Sequence, residues 1–101
     1  MYNEISAAQL QELLKAGEKI NLIDVREPDE WAEGHIDSAR LIPLSEFQAR
    51  AHEVHDEDGE IIVICKSGGR SSRVCEYLSR QGYEVTNVHD GMLHWAGNIE
   101  A

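Results

Sequence analysis

Along the chain the apolar residues fall into two kinds of pattern, one of helical and one of strand spacing. Leu10, Leu13 and Leu14 recur at helical spacing behind Ser6-Ala7-Ala8-Gln9, whose serine and glutamine are placed to form a capping box, and Gly17 marks a stop. Ile20-Asn21-Leu22-Ile23-Asp24-Val25 is a short, largely apolar run of strand length. Pro28 followed by Asp29, Glu30 and Trp31 suits the first turn of a short helix, where a missing N–H costs nothing and acidic groups meet the positive end of the dipole. Ala39 to Ile42 reads as a second strand ended by Pro43, and Ser45-Glu46-Phe47-Gln48 repeats the capping-box pattern, which predicts a second helix there. Residues 52–60 are acidic and polar, a surface loop. Ile61 to Ile64 is the clearest strand. Val74, Cys75 and Leu78 return to helical spacing between Ser71 and Gln81, with Gly82 as the stop. Val85 to Val88 reads as the last core strand, and Gly91 to Trp95 as a short closing helix.

Strands therefore alternate with helices from start to end. This is the pattern of an α/β fold, with a mainly parallel central sheet flanked by helices on both faces. No internal repeat, low-complexity tract or long linker interrupts it, so residues 1–101 read as one domain.

Composition then narrows the function. At 42% hydrophobic, 101 residues can bury a core, which argues against disorder. Nineteen Asp and Glu against nine Lys and Arg leave a net charge of −10, a surface that repels nucleic-acid phosphates and anionic lipid, so the reading assigns neither nucleic acid nor membrane as a partner. No apolar run approaches the roughly 18 to 20 residues that cross a bilayer. Met1-Tyr2-Asn3-Glu4-Ile5 has neither the cationic start nor the apolar segment of a secretory signal, so the expected location is the cytoplasm; a domain cut from a larger protein reads the same way. Two cysteines, Cys65 and Cys75, make neither a disulfide framework nor a Cys-x-x-Cys pair, and both are expected as free thiols. The acidic surface also repels small anions at long range, so any anion site has to be built locally.

One stretch is suited to that. Ile61 to Ile64 runs straight into Cys65-Lys66-Ser67-Gly68-Gly69-Arg70-Ser71-Ser72-Arg73. In open α/β sheets, ligands bind beyond the carboxyl ends of strands, and Cys65 stands at such an end, immediately before a helix. Glycines at 68 and 69 are expected to take φ > 0 and curl the backbone so that successive N–H groups point inward, and the helix beginning near Ser71 adds the positive end of its dipole. A thiol in this cradle is expected to have a lowered pKa and to react as thiolate. Arg70, with a planar fork, and Lys66, as a mobile point charge, are the candidates to hold an incoming anion. The plain alternative is a buried structural cysteine beside an ordinary turn, but such a turn has no use for two glycines, two cations and three hydroxyls together.

With these residues in view, the chain resembles the single-domain form of the rhodanese family of sulfurtransferases. The resemblance is carried by Asp24-Val25-Arg26, then Glu30-Trp31 and Gly34-His35-Ile36 with Ala39. It continues in the loop Cys65-Lys66-Ser67-Gly68-Gly69-Arg70-Ser71, in Gly82-Tyr83, and in the Gly91 to Trp95 ending. It implies that Cys65 is the catalytic nucleophile and that Lys66, Ser67, Gly68, Gly69, Arg70 and Ser71 bind substrate. It also implies ping-pong sulfur transfer through a persulfide on Cys65, with no metal or organic cofactor. The implied donor is a small anionic sulfur compound such as thiosulfate, or a persulfide, and the implied acceptor is cyanide in an assay, or a thiol or partner protein. A relay module that docks a partner and turns thiosulfate over poorly is the second reading. Related cysteine phosphatases and arsenate reductases place five residues between their Cys and Arg; here four lie between Cys65 and Arg70, and none of them is acidic. One departure stands out: Asp90-Gly91 replaces the family's usual paired glycines before the last helix, which bears on acceptor or partner preference.

Other residues have two readings each. Asp24, Arg26 and Glu30 form either an ion-paired brace for the strand-to-helix turn or, through Arg26, part of the substrate mouth. His35 reads as a packing or hydrogen-bonding residue, because attack by a preformed thiolate needs no base. Cys75 is read as core, with a resolving thiol as the alternative. His52 and His55 with Asp56, Glu57 and Asp58 lack a full ligand set for a metal and read as a solvated loop. Trp31 and Trp95 are core or pocket-edge aromatics, and Arg73 either widens the positive mouth or pairs with surface acids.

Overall fold

The structure, a computed structural model, describes residues 1–57 and 59–101. Its strands are β1 (Asn3–Ile5), β2 (Ile20–Asp24), β3 (Arg40–Leu41), β4 (Glu60–Ile64) and β5 (Val85–Val88). Its α-helices are α1 (Ala7–Lys15), α2 (Pro28–Glu33), α3 (Phe47–Arg50) and α4 (Gly69–Arg80), with short 3-10 turns at Leu44–Glu46, Ala51–Glu53 and Met92–His94. The five strands form one sheet in the order β1-β5-β4-β2-β3, and each pairing is parallel.

Two apolar layers lie on opposite faces of the sheet, as alternating side chains dictate. Ile23, Ile61, Val63 and Val85 face α3 and α4 through Phe47, Val74, Cys75 and Leu78. Leu22, Ile62, Ile64 and Val88 face α1 and the C-terminal turn through Ala7, Leu10, Met92 and Trp95. A strand covered on both faces has no polar side to show, which is why β4 reads as an unbroken apolar run. Among the described residues no helix is long and apolar enough to cross a membrane.

Several local signals are realised in detail. Ser6 Oγ accepts from Gln9 N at 3.1 Å while Gln9 Oε1 accepts from Ser6 N at 2.8 Å, a reciprocal capping box. Gly17 and Gly82 both take positive φ and close their helices with paired N–H to carbonyl bonds: Gly17 to Leu14 and Glu18 to Leu13, Gly82 to Ser79 and Tyr83 to Leu78. The second capping box is not formed. Ser45 sits in a 3-10 turn and gives its hydroxyl to Glu27 Oε1 at 2.7 Å, and the helix after it, α3, is only four residues long. β1 has no counterpart in the sequence reading. Two exposed residues and a half-buried isoleucine carry no strand signal, and pairing with β5 makes them a strand.

The registers place the site. Asp24 lies opposite Ile64, Val25 N–H donates to Ile64 O, and Asn87 lies opposite Val63, so β2, β4 and β5 end together around Cys65.

Candidate active site

Cys65 follows β4 and is 1% exposed. Gly68, at the N-terminus of α4, has φ of 100° and packs so tightly on the His89 backbone that a Cβ there would collide with it; only glycine meets both demands. Gly69 does not share this role. It lies inside the first turn of α4 with open space where a Cβ would be, so the expectation of positive φ at both glycines holds for Gly68 alone, and the helix starts at Gly69 rather than Ser71.

A second turn clamps the loop from below. Gly91, with φ of 62°, stands against the Cys65 and Lys66 carbonyls, and those carbonyls accept from Met92 N at 2.9 Å and Leu93 N at 3.0 Å. Asp90, the departure from the paired glycines, turns its carboxylate away to accept from Ala7 N at 2.7 Å, at the start of α1.

Three donors converge on Cys65 Sγ: Gly68 N at 3.1 Å, Ser71 Oγ at 3.3 Å and Ser71 N at 3.4 Å. Burial pushes the thiol pKa up, but the Ser71 hydroxyl and the N–H groups of Ser71, Gly68 and Ser67 together outweigh it and leave the thiol below its ordinary value. Among the described residues no such donor lowers the pKa of Cys75. Burial first, then the negative charges of Glu4 and Cys65, push its pKa up to about 12. Its complete burial on the sheet-facing side of α4 agrees with the core reading.

Behind Ser71 stands a residue that sequence reasoning missed. Asn87 Oδ1 lies 2.5 Å from Ser71 Oγ, and Asn87 Nδ2 donates to Glu4 Oε2 at 3.1 Å and to Gly68 O at 3.4 Å. Ser71 has one proton to share among Asn87 Oδ1, the Gly68 carbonyl at 3.2 Å and the sulfur, so the amide influences how strongly the hydroxyl serves the thiolate. The signal was present in the sequence as a polar residue in the middle of a strand too buried to tolerate one unpartnered.

Arg70, the candidate to hold an anion, is paired within the chain. Its Nη1 and Nη2 meet Glu30 Oε1 and Oε2 at 2.7 and 2.8 Å, a two-pronged pair. Glu30 Oε1 also accepts from Glu27 N at 2.9 Å. The Arg70 hydrogen bond is the main reason the Glu30 pKa is lowered to about 2. Lys66 and Ser67 are exposed. Lys66 lines a cleft of about 210 Å³ together with Arg26, Glu30, Glu33, Met92 and Leu93.

The remaining candidates fall into supporting places. Buried Arg26 grips both oxygens of buried Asp24 and donates to the Glu30 and Gly34 carbonyls, the brace reading. His35 stacks on Trp31 with ring centroids 3.6 Å apart, while its backbone bridges to Glu100. Trp95 packs partly against the α1-side core. Arg73 lines a groove between α3 and α4 with Leu44, Phe47, Gln48, Val74 and Tyr77. Among the described residues no carboxylate, histidine and cysteine cluster suits a metal; Asp58 of the acidic loop lies outside the described residues.

Chemically, this is a thiol held below its ordinary pKa, with inward donors that can equally stabilise a thiolate or a second sulfur carrying negative charge. Residues 6–98 match the family model of the Rhodanese-like domain. The Bacillus subtilis protein YtwF, whose name assigns it provisionally to the sulfurtransferases, is 46% identical over 97 residues, spanning 96% of this chain and 93% of its own length. A protein named Sulfurtransferase from Allochromatium vinosum is 37% identical, with 95% of this chain and 90% of that one covered. The crystal structure of a rhodanese-related protein from Thermoplasma volcanium superposes with a TM-score of 0.87 at 32% identity, over 98% of each chain. In sequence and in fold, then, this chain belongs to the rhodanese-like domain family, several of whose relatives are named sulfurtransferases.

Proposed function

We propose that this domain, spanning residues 1–101, transfers sulfane sulfur through a persulfide on Cys65. The observation that carries the proposal is the set of donors from Gly68 and Ser71 around a buried sulfur whose pKa they lower. In the first half-reaction the Cys65 thiolate attacks the outer sulfur of the donor. With thiosulfate the S–S bond breaks, sulfite leaves with the electron pair, and Cys65 keeps the sulfur as a persulfide anion on the same donors. In the second half-reaction a thiophile attacks that outer sulfur, takes it, and returns Cys65 as thiolate. Cyanide, a thiol or a thiol on a partner protein can serve, and the chemistry calls for no metal or organic cofactor. In this proposal Lys66, Ser67, Gly68, Gly69, Arg70 and Ser71 form the substrate-binding loop, and the protein works in the cytoplasm, where its two thiols stay reduced.

The relay reading, in which a partner supplies the sulfur, is favoured by one observation. The cation best shaped for a free anion, Arg70, is already paired with Glu30. Intact mass after exposure to thiosulfate or glutathione persulfide, for wild type and Cys65→Ser, tests the proposal. The expected result is gain of one sulfur atom that cyanide removes, absent in the variant. No gain from either donor, or gain that survives Cys65→Ser, overturns it.

A further inference from the structure

Arg70 and Glu30 come from distant parts of the chain, α4 and α2, yet meet in a two-pronged pair; Arg70 is near enough to feel the charge of Cys65, and Glu30 lines a cleft shared with Lys66, the residue after Cys65. Both prongs of the guanidinium that a sulfonate would use are filled by a carboxylate of the same chain. The cleft also carries Glu33, whose carboxylate disfavours a dianion there, while Arg26 on its wall is held by Asp24 and exposed Lys66 is the mobile countercharge. Met92 and Leu93, the latter 61% exposed, supply the apolar part of the lining.

We propose that Glu30 is a specificity-determining residue: by occupying Arg70 it disfavours thiosulfate and leaves Cys65 to take sulfur from a thiol persulfide, whose carbon body suits the Met92–Leu93 wall. The proposal rests on the sulfurtransferase reading of Cys65. In the step it favours, the Cys65 thiolate attacks the outer sulfur of R–S–SH. The donor S–S bond breaks, R–S⁻ leaves with the electron pair, and the proton stays on the transferred sulfur. No oxidant or reductant is needed. Selection here comes from an unfavourable placement against the wrong donor as much as from contacts to the right one.

The test compares wild type with Glu30→Gln, whose amide oxygen can still accept from Glu27 N and so keep the α2 terminus. The rate of Cys65 persulfide formation is followed by intact mass with thiosulfate and with glutathione persulfide. The thiosulfate-to-persulfide ratio of second-order rates should rise about tenfold in Glu30→Gln, the scale of one charged hydrogen-bond pair released. An unchanged or lower ratio overturns the proposal. Sulfate supplies a readout that needs no sulfur transfer: it should protect Cys65 from iodoacetamide at about tenfold lower concentration in the variant, by the same scale. Equal concentrations overturn the proposal. If neither donor loads Cys65, the proposed function fails while sulfate protection still decides the role of Glu30. Should Glu30→Gln not fold, wild type alone decides: faster loading from thiosulfate than from glutathione persulfide overturns the inference.

Discussion

Two cysteines ten positions apart in the chain are given opposite chemistry by their donors. Both are buried, and burial raises a thiol pKa; Cys65 is brought down by the hydroxyl and N–H groups around it, whereas Cys75 is left with burial and two neighbouring negative charges. Alkylation with iodoacetamide should therefore modify Cys65 alone in the native protein. Its rate should rise with pH through a midpoint below the ~8.5 of a free cysteine, because the thiolate is the reactive species and its donors favour it. Cys75 should react only after unfolding. A Cys65 profile with a midpoint at or above that of free cysteine, or equal labelling of the two thiols, would sink this account. Asn87 belongs at the same scale. It holds Ser71 by its amide oxygen, so the hydroxyl beside Cys65 is itself positioned.

At the scale of elements, the site is a junction between β4 and α4, and one glycine makes the junction possible. Gly68→Ala faces two penalties: a left-handed φ and a collision with the His89 backbone. It should lose most sulfur loading together with roughly 1 to 3 kcal/mol or more of stability, the usual scale of forced backbone strain. Gly69→Ala meets nothing within 4 Å and already has helical geometry, so it should keep or slightly gain stability, by up to about 1 kcal/mol. Urea unfolding of the two variants checks both; equal losses would mean that the two glycines act alike after all. Helix α2 is braced at the same scale. Arg26 ties Asp24, at the end of β2, to carbonyls of Glu30 and Gly34, so α2 is fixed where Glu30 can reach Arg70. A buried pair of this kind contributes little over an apolar packing but is costly to break, which makes it a geometric brace rather than a source of net stability.

For the whole molecule, charge is the dominant property. Nineteen acidic groups against nine Lys and Arg leave a net charge of −10, which repels an anionic sulfur donor such as thiosulfate. Salt screens that repulsion over about 8 to 10 Å near physiological ionic strength. The second-order rate of Cys65 loading by thiosulfate should therefore increase with added sodium chloride, whereas alkylation by neutral iodoacetamide should not. Stopped-flow rates across a salt series measure this, and a thiosulfate rate that falls with salt would show that local cations outweigh the global charge.

Much of this was legible in the sequence, and the reason is locality. The apolar run before Cys65, the capping box at Ser6 and the helix stops at Gly17 and Gly82 each depend on a few adjacent residues. The family match likewise followed from short motifs in order. The α/β class and the identity of Cys65 as the candidate nucleophile could therefore be read from the chain alone. Tertiary structure decided what depends on residues far apart. Pairing with β5 made β1 a strand, Glu27 drew Ser45 out of its expected cap, and the His89 backbone singled out Gly68 from Gly69. The partner of Arg70 belongs to the same group: forty positions separate it from Glu30, and only the braced turn after β2 brings them within hydrogen-bond reach. A charged side chain's role is set by what stands opposite it, and that is fixed by the fold rather than by neighbours in the chain.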